Sequence, residues 1–293
     1  MPNLALKYRP KTLDEMIGQS HLLGESAILQ KLITTGTLSH TFFYGPPGCG
    51  KTTLARVIAS LLDIPFYEMN ATTLKIEDLR KIFKEYTNAL QKPLIFIDEV
   101  HRLSKNQQEV LLPFMENQAS LIIGASTENP YYSLTAAMRS RSHLFELESI
   151  HEKELHTYLE QIIQLEEILL EDDAREYLVF SSGGDVRAML NLLESAAAIE
   201  SPIRLATLKQ IRPHAMQAGS SESESHYELT SAMIKSIRGS DIDAAIYYLA
   251  RLIDGGEPAE FIARRLTILA SEDIGNANPP ALNLASSTPV SYT

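Results

Sequence analysis

Gly45-Pro46-Pro47-Gly48-Cys49-Gly50-Lys51-Thr52 has the spacing G-x-x-x-x-G-K-T, and these residue types suit one kind of chemistry. The glycines let successive backbone N–H groups converge on an anion. Lys51 carries a flexible charge towards the β- and γ-phosphates, and the Thr52 hydroxyl suits Mg²⁺. Further along, Asp98-Glu99 closes the apolar run Leu94-Ile95-Phe96-Ile97. A carboxylate at Asp98 suits a hydrated Mg²⁺, and one at Glu99 can orient and deprotonate an attacking water. The two constellations together predict binding and hydrolysis of a nucleoside triphosphate with Mg²⁺. Thr53 extends the phosphate-binding run.

Such groups work only if strands and helices aim them. Thr41–Tyr44 before the glycine loop reads as a buried strand, and Thr53–Ala59 after it has helical spacing. That is the context the loop requires, because a helix N-terminus adds partial positive charge at the phosphates. Pro65–Met69, Leu94–Ile97, Leu121–Ala125 and Leu144–Leu147 are four more apolar runs alternating with helical stretches. Strands alternating with helices predict an α/β fold, a five-stranded parallel sheet between helical layers. Beyond Ile150 the strand pattern stops. His151–Glu167, Glu171–Ser181 and Val186–Ala198 read as helices, followed by Leu229–Ile237, Asp241–Ile253 and Pro258–Ser271. Gln217–Ser225 is small, polar and aperiodic, so it reads as a linker, and Ser286–Thr293 shows no helical face. The expected organisation is a nucleotide-binding core over 1–150, a helical segment over 151–216, a linker over 217–227 and a further helical segment over 228–293.

The 293 residues carry a formal net charge of −11 and a single cysteine. One cysteine excludes an internal disulfide and an all-cysteine zinc site. No apolar run approaches bilayer-spanning length and the start lacks a secretory apolar region, so a cytoplasmic location is expected. The acidic balance means that any DNA contact must rest on basic residues gathered on one face.

Asp98-Glu99-Val100-His101-Arg102-Leu103, then Gly124–Pro130, then Ser140-Arg141 follow the motif order of AAA+ ATPases. Within that class, His101–Gln108, Ser126–Pro130, Ser236–Ser240 and Ala270–Pro279 resemble the replication-associated recombination protein A (RarA/MgsA) family. That family includes the eukaryotic Werner-helicase-interacting ATPase. The resemblance implies an AAA+ core, a lid and an all-helical C-terminal segment. It also implies a DNA-dependent ATPase at stalled or gapped forks, a homo-oligomer (usually a tetramer), and contact with single-strand-binding and other replication proteins. Family members continue past the end of this chain, and the tail after Ser286 departs from them, so a shortened chain or a changed reading frame is expected. A Holliday-junction branch-migration motor is the rival reading. It should end in a basic winged-helix module, against which the acidic helical end argues. A clamp-loader-like subunit that binds ATP without turnover is the third, although Lys51 and Glu99 are both present.

The resemblance places Arg9, Pro10 and Ile17 on the adenine side and Arg187 as a second sensor on the lid. It implies that Thr127 is the first sensor, with Ser126 and Asn129 as rivals. Arg141 becomes a finger acting on a neighbouring subunit, with Arg139 as its competitor and a plain surface arginine as the alternative, and Asn70 is either a switch restraining Glu99 or a turn former. His101 reads as packing, or as a link from the catalytic strand to the next helix. Tyr131-Tyr132 read as loop anchors or base-stacking groups. Lys75, Arg80, Lys81, Lys84, Lys105 and Asn106 are either a DNA-facing set or a solvated face. Cys49 is either a reactive thiolate at a helix N-terminus or a buried spacer.

Overall fold

The computed structural model describes residues 3–86, 89, 91–117, 119–213, 222–254, 257–275 and 278–287. Its centre is a sheet of five parallel strands: β1 (Thr41–Tyr44), β2 (Phe66–Asn70), β3 (Leu94–Asp98), β4 (Leu121–Ser126) and β5 (His143–Glu146), in the order β2-β3-β4-β1-β5. Each strand lies within a residue or so of the expected run. The glycine loop leaves the end of β1, a strand flanked on both sides. Parallel strands present their carboxyl ends at one edge, where ligands of open α/β sheets bind.

Alternation of side chains builds two cores from one sheet. Phe42, Ile95, Ile97 and Ile122 point into one cluster, whereas Phe43, Leu94, Phe96 and Ile123 point into the other. The helices α1 (Leu4–Lys7), α2 (Ser20–Leu23), α3 (Ile28–Thr34) and α4 (Lys51–Leu61) come first in the chain. Of these, α2, α3 and α4 cover the second cluster. The first is covered by α5 (Ile76–Glu85), α6 (Lys105–Glu116) and α7 (Ala136–Arg139). Gly124 sits between Phe42 and Val100, where a Cβ would meet their side-chain atoms at 2.4 and 2.5 Å. No larger residue fits without moving both.

A third cluster joins α8 (Glu152–Glu166), α9 (Asp172–Ser182), α10 (Val186–Ala197) and α11 (Leu205–Ile211). Leu4 of α1 is buried in it, and the Leu4 N–H donates to Glu194 Oε2 at 3.0 Å. The Tyr158 hydroxyl donates to the Tyr8 carbonyl at 2.9 Å, and Tyr8 OH bonds Glu166. Leu4 and Tyr8 thus fasten the N-terminal segment around α1 to the helices that follow the sheet.

Residues 1–219 form one compact unit and 220–293 a second. Within the second, α12 (Glu222–Arg238), α13 (Ile242–Asp254) and α14 (Ala259–Leu269) share a small core of Met233, Leu252 and Ile262. A π turn at Ala270–Ile274 leads on towards α15 (Pro279–Ser287). Two sequence expectations change here. Glu222–Ser225, read as linker, begin α12; the apolar pattern misses this turn, but acidic residues at a helix N-terminus are favoured by its dipole. Ser286 and Ser287 end a helix that opens on Pro279, at a position where the missing N–H costs nothing. Linker residues 217–221, motif residues Asn276-Ala277 and tail residues 288–293 lie outside the described residues.

Candidate nucleotide site

The loop between β1 and α4 is shaped by three glycines. Gly45, Gly48 and Gly50 have φ of +136°, +69° and +100°, a region that side chains with a Cβ rarely enter. The space is closed as well. A Cβ at Gly45 would lie 2.0 Å from the Leu147 carbonyl oxygen, and one at Gly48 1.9 Å from Asp185 Oδ1. Lys51 is largely buried at the first position of α4, and its Nζ donates to Gly45 O at 2.7 Å and Pro46 O at 2.6 Å.

One cleft of about 220 Å³ brings most of the predicted residues together. Pro47, Gly48, Cys49, Gly50, Lys51, Thr52 and Thr53 form its floor; Asp98, Glu99 and Thr127 enter from the ends of β3 and β4. Arg9, Pro10 and Ile17 reach it from the N-terminal segment, and Arg187 from α10. Gly45 and Pro46 take part through the carbonyls that hold Lys51. Three cationic side chains from separate elements therefore converge on a glycine loop and a helix N-terminus, the electrostatics that a polyphosphate requires. Burial and the neighbouring Arg56 and Arg187 charges push the Arg9 guanidinium below its ordinary value. An anion placed among them would relieve that strain.

Asp98 accepts the Glu99 N–H at 3.0 Å, and partial burial pushes its carboxyl above the usual range. Thr52 and Asp98 line the same cleft. Among the described residues no cluster of three His, Cys, Asp or Glu side chains exists. This donor set fits Mg²⁺, which binds through few protein groups and keeps waters and phosphate oxygens as its other ligands. Glu99 has φ 55° and ψ 44°, left-handed for a residue with a side chain, and its carboxylate pairs with Arg102 Nε at 3.0 Å.

The candidates left open in the sequence separate in space. Thr127 reaches the cleft. Ser126 is buried below it with its hydroxyl 3.0 Å from His101 Nδ1 and accepting the Glu128 N–H, whereas Asn129 Oδ1 accepts the Tyr131 N–H. His101 therefore ties the end of β3 to the end of β4, not to the next helix. Asn70 Oδ1 accepts from both the backbone N–H and the hydroxyl of Thr72, shaping its own turn; the group paired with Glu99 is Arg102. Near Arg187, Asp185 accepts the Ala188 N–H as the cap of α10 and Glu194 accepts from Leu4.

Arg141 stands apart from the cleft. Its guanidinium pairs with Glu116 at 2.6 Å and donates to Ala137 O at 2.8 Å. Arg139 is committed elsewhere, donating to Tyr131 O and lying 4.1 Å from that ring's centre. Tyr132 is 87% exposed, so it does not anchor its loop to the core. Arg80, Lys84 and Lys105 are exposed, and Lys81 pairs with Asp78. Cys49 is 2% exposed inside the second sheet core, and burial pushes its thiol up. That environment supports the spacer and opposes the reactive thiolate.

Two residues with no role in the sequence reading emerge. Gln108 is buried and holds the loop after β4 through Ser133 O and the Thr135 N–H, while also donating to Leu103 O just before its own helix. Its signal was present: it shares the apolar stripe of Leu111 and Met115. Gln19 makes a reciprocal pair of bonds with the Glu148 backbone at the junction of sheet and lid. Nothing local marks that contact, which spans 129 positions.

Comparisons with known proteins agree with this geometry. Residues 41–149 match the ATPase family associated with various cellular activities (AAA), 164–238 an AAA C-terminal domain, and 239–292 the MgsA AAA+ ATPase C-terminal domain. Replication-associated recombination protein A of Bacillus subtilis is 40% identical over 96% of this chain and 70% of its own length. The Escherichia coli protein of the same name is 35% identical over 96% of this chain and 67% of its length. Among solved structures, the Thermotoga maritima RuvB Holliday junction branch migration motor superposes with a TM-score of 0.61 at 27% identity, covering 79% of this chain and 80% of that one. A glycine loop after an interior strand of a five-stranded parallel sheet, a helical lid bearing an arginine into the cleft and matches along nearly the whole chain converge on one assignment: this ATP hydrolase belongs to the replication-associated recombination protein A family of AAA+ ATPases.

Proposed function

We propose that this chain is a DNA-dependent ATPase acting at stalled or gapped replication forks in the bacterial nucleoid, assembled as a homo-oligomer. The observation that carries this reading is the division of the predicted machinery. Lys51, Thr52, Asp98, Glu99, Thr127 and Arg187 share one cleft, while Arg141 lies outside it. In this reading the loop N–H groups and Lys51 hold the phosphates, and Arg9, Pro10 and Ile17 seat the nucleoside. Glu99 takes the proton of the attacking water. Thr52 and Asp98 would hold a hydrated Mg²⁺, which when bound would supply positive charge to the phosphates. Thr127 and Arg187 bond the outer phosphate, so that the lid reports whether it is present. Arg141 completes the site of a neighbouring copy, which makes assembly a condition of turnover. The names of the relatives support a role in replication-associated recombination, and single-strand-binding and other replication proteins are the expected partners.

The likeness to a branch-migration motor favours a second reading, work on four-way junctions. Against it, the described residues beyond 221 are helical and contain no strand. A clamp-loader-like binding subunit is disfavoured because Glu99 and Lys51 both line the cleft. The deciding experiment is the ATPase rate with single-stranded, gapped, forked and four-way DNA. Stimulation by gapped or forked DNA is expected; stimulation by four-way DNA alone would transfer the assignment to the junction motor.

A further inference from the structure

Arg141 lies just before β5, and its guanidinium is not loose. Nη2 donates to Glu116 Oε1 at 2.6 Å, while Nη1 donates to Ala137 O at 2.8 Å and Ser140 Oγ at 3.2 Å. Among the described residues nothing bonds its Nε, so one edge of the fork stays open. Arg141, Glu116 and His40 line one hollow at the amino ends of β1, β3 and β4, whereas the glycine loop, Asp98 and Glu99 lie at the carboxyl ends. The pair therefore stands at the opposite edge of the sheet from the chain's own cleft.

Glu116 is poorly placed for its own helix. It closes α6, where the dipole disfavours a carboxylate and no basic residue of the last turn compensates. The pair is also exposed, 36% on the arginine side and 51% on the glutamate side, and such pairs add little stability. The backbone behind each partner, by contrast, is fixed. His40 Nδ1 accepts the Ile122 N–H at 3.1 Å, so Nε2 carries the ring proton and donates to Met115 O at 3.1 Å, one residue before Glu116. Met115 is itself buried in the sheet core. The His40 carbonyl accepts the His143 N–H at 2.8 Å, two residues after Arg141. One buried histidine thus sets the separation of two segments from which Glu116 and Arg141 meet.

We propose that Glu116 is a positioning residue for the ATPase reaction: it holds the Arg141 guanidinium in one orientation, with Nε left for a phosphate oxygen in the site of a neighbouring copy. Glu116 touches Arg141, not the nucleotide. An arginine held by nothing has many rotamers to lose on meeting a phosphate, and a catalytic group misplaced by ~1 Å can cost ~10²-fold in rate. The inference rests on Arg141 acting across a subunit boundary, as in the proposed function.

The test uses the full chain with gapped DNA present, and reads steady-state ATPase kinetics beside binding of a fluorescent ATP analogue. Glu116→Ala should lower kcat by about tenfold while leaving KM and analogue binding unchanged. Glu116→Gln, which keeps the reach and an accepting oxygen, should retain most of the rate. A residue needed only for folding would lower rate and binding together. Mixtures give the direction of the effect. Arg141→Ala protein supplies intact loops and Lys51→Ala protein intact fingers. Adding Glu116→Ala to the Lys51→Ala chain should cut the rescue about tenfold, whereas adding it to the Arg141→Ala chain should leave the rescue as it was. A natural or raised rate in Glu116→Ala, or equal effects of the added substitution on both chains, overturns the proposal. The parent mixture separates the two failures. Rescue there without the asymmetry removes Glu116 and leaves the finger standing; no rescue there removes the finger in trans, and the proposal with it.

Discussion

Gly48 of the phosphate loop and Asp185, the cap of the lid helix α10, are pressed together so closely that a Cβ on the glycine would overlap the carboxylate, at 1.9 Å from Oδ1 and 2.0 Å from Cγ. Asp185 is also bonded to the Ala188 N–H at 2.8 Å and cannot simply swing away without uncapping its helix. The phosphate-binding loop and the lid are therefore in direct contact, and a change of loop conformation is felt at the start of the helix that carries Arg187.

Gly48→Ala should weaken nucleotide binding by tenfold or more, about 1.4 kcal/mol, since it meets both a φ of +69° and the Asp185 carboxylate. Asp185→Ser keeps a capping oxygen while shortening the side chain. The double variant should recover part of the binding lost by Gly48→Ala, and titration of the four proteins measures the coupling. Additive losses would show that the contact carries no energy.

Glu99→Gln should bind ATP as the natural chain does and lose turnover by ~10²–10⁴-fold, the usual contribution of a positioned base. Lys51→Ala, which removes the only ammonium bonded inside the loop, should lose binding as well. Turnover near the natural rate in Glu99→Gln would refute the assignment.

Arg141→Ala removes an exposed pair with Glu116, so stability should change by no more than about 1 kcal/mol. Its rate should nevertheless fall by ~10³–10⁵-fold if it reaches a neighbour's nucleotide. Mixing Arg141→Ala with Lys51→Ala protein should restore activity at interfaces that pair an intact finger with an intact loop. Mixed oligomers without rescue would show that Arg141 does not act across a boundary.

Cys49 should label slowly in the folded protein, because burial raises its thiol and leaves little thiolate at neutral pH. Cys49→Thr should retain ATPase activity. Rapid labelling that Mg-ATP prevents would reinstate the reactive thiolate.

His40 is buried with Nδ1 accepting the Ile122 N–H at 3.1 Å and Nε2 facing Met115 O at 3.1 Å, and burial lowers its pKa from 6.5. A folded pKa below the unfolded one means that the unfolded chain binds the proton more readily. Stability from His40 is thus present above about pH 6.5 and is lost as pH falls towards the lowered value. The melting temperature should drop between pH 7.5 and 5.5, with a smaller slope in His40→Gln. Parallel slopes would remove His40 as the cause.

Some of this molecule is local and some is not. The glycine loop, the strand ending in Asp98-Glu99 and the alternation of helix and strand depend on spacing within a few residues. They could be read directly, and the strands fall within about a residue of expectation. The π turn, the first turn of α12 and the helix at Pro279–Ser287 were not readable, because propensity and apolar period are weak there. Pairings across long separations were decided only by folding. Gly48 meets Asp185, Gln19 meets Glu148, His101 meets Ser126 and Leu4 meets Glu194. Each residue's type offers several partners, and the sheet order selects one. The Glu99–Arg102 pair is the instructive exception. Its two members are three positions apart, yet it forms only because Glu99 adopts a left-handed backbone that turns Arg102 back upon it. Sequence specified which groups do the chemistry; the strained turn at the end of β3, set by packing on both faces of the sheet, decided which of them Glu99 holds.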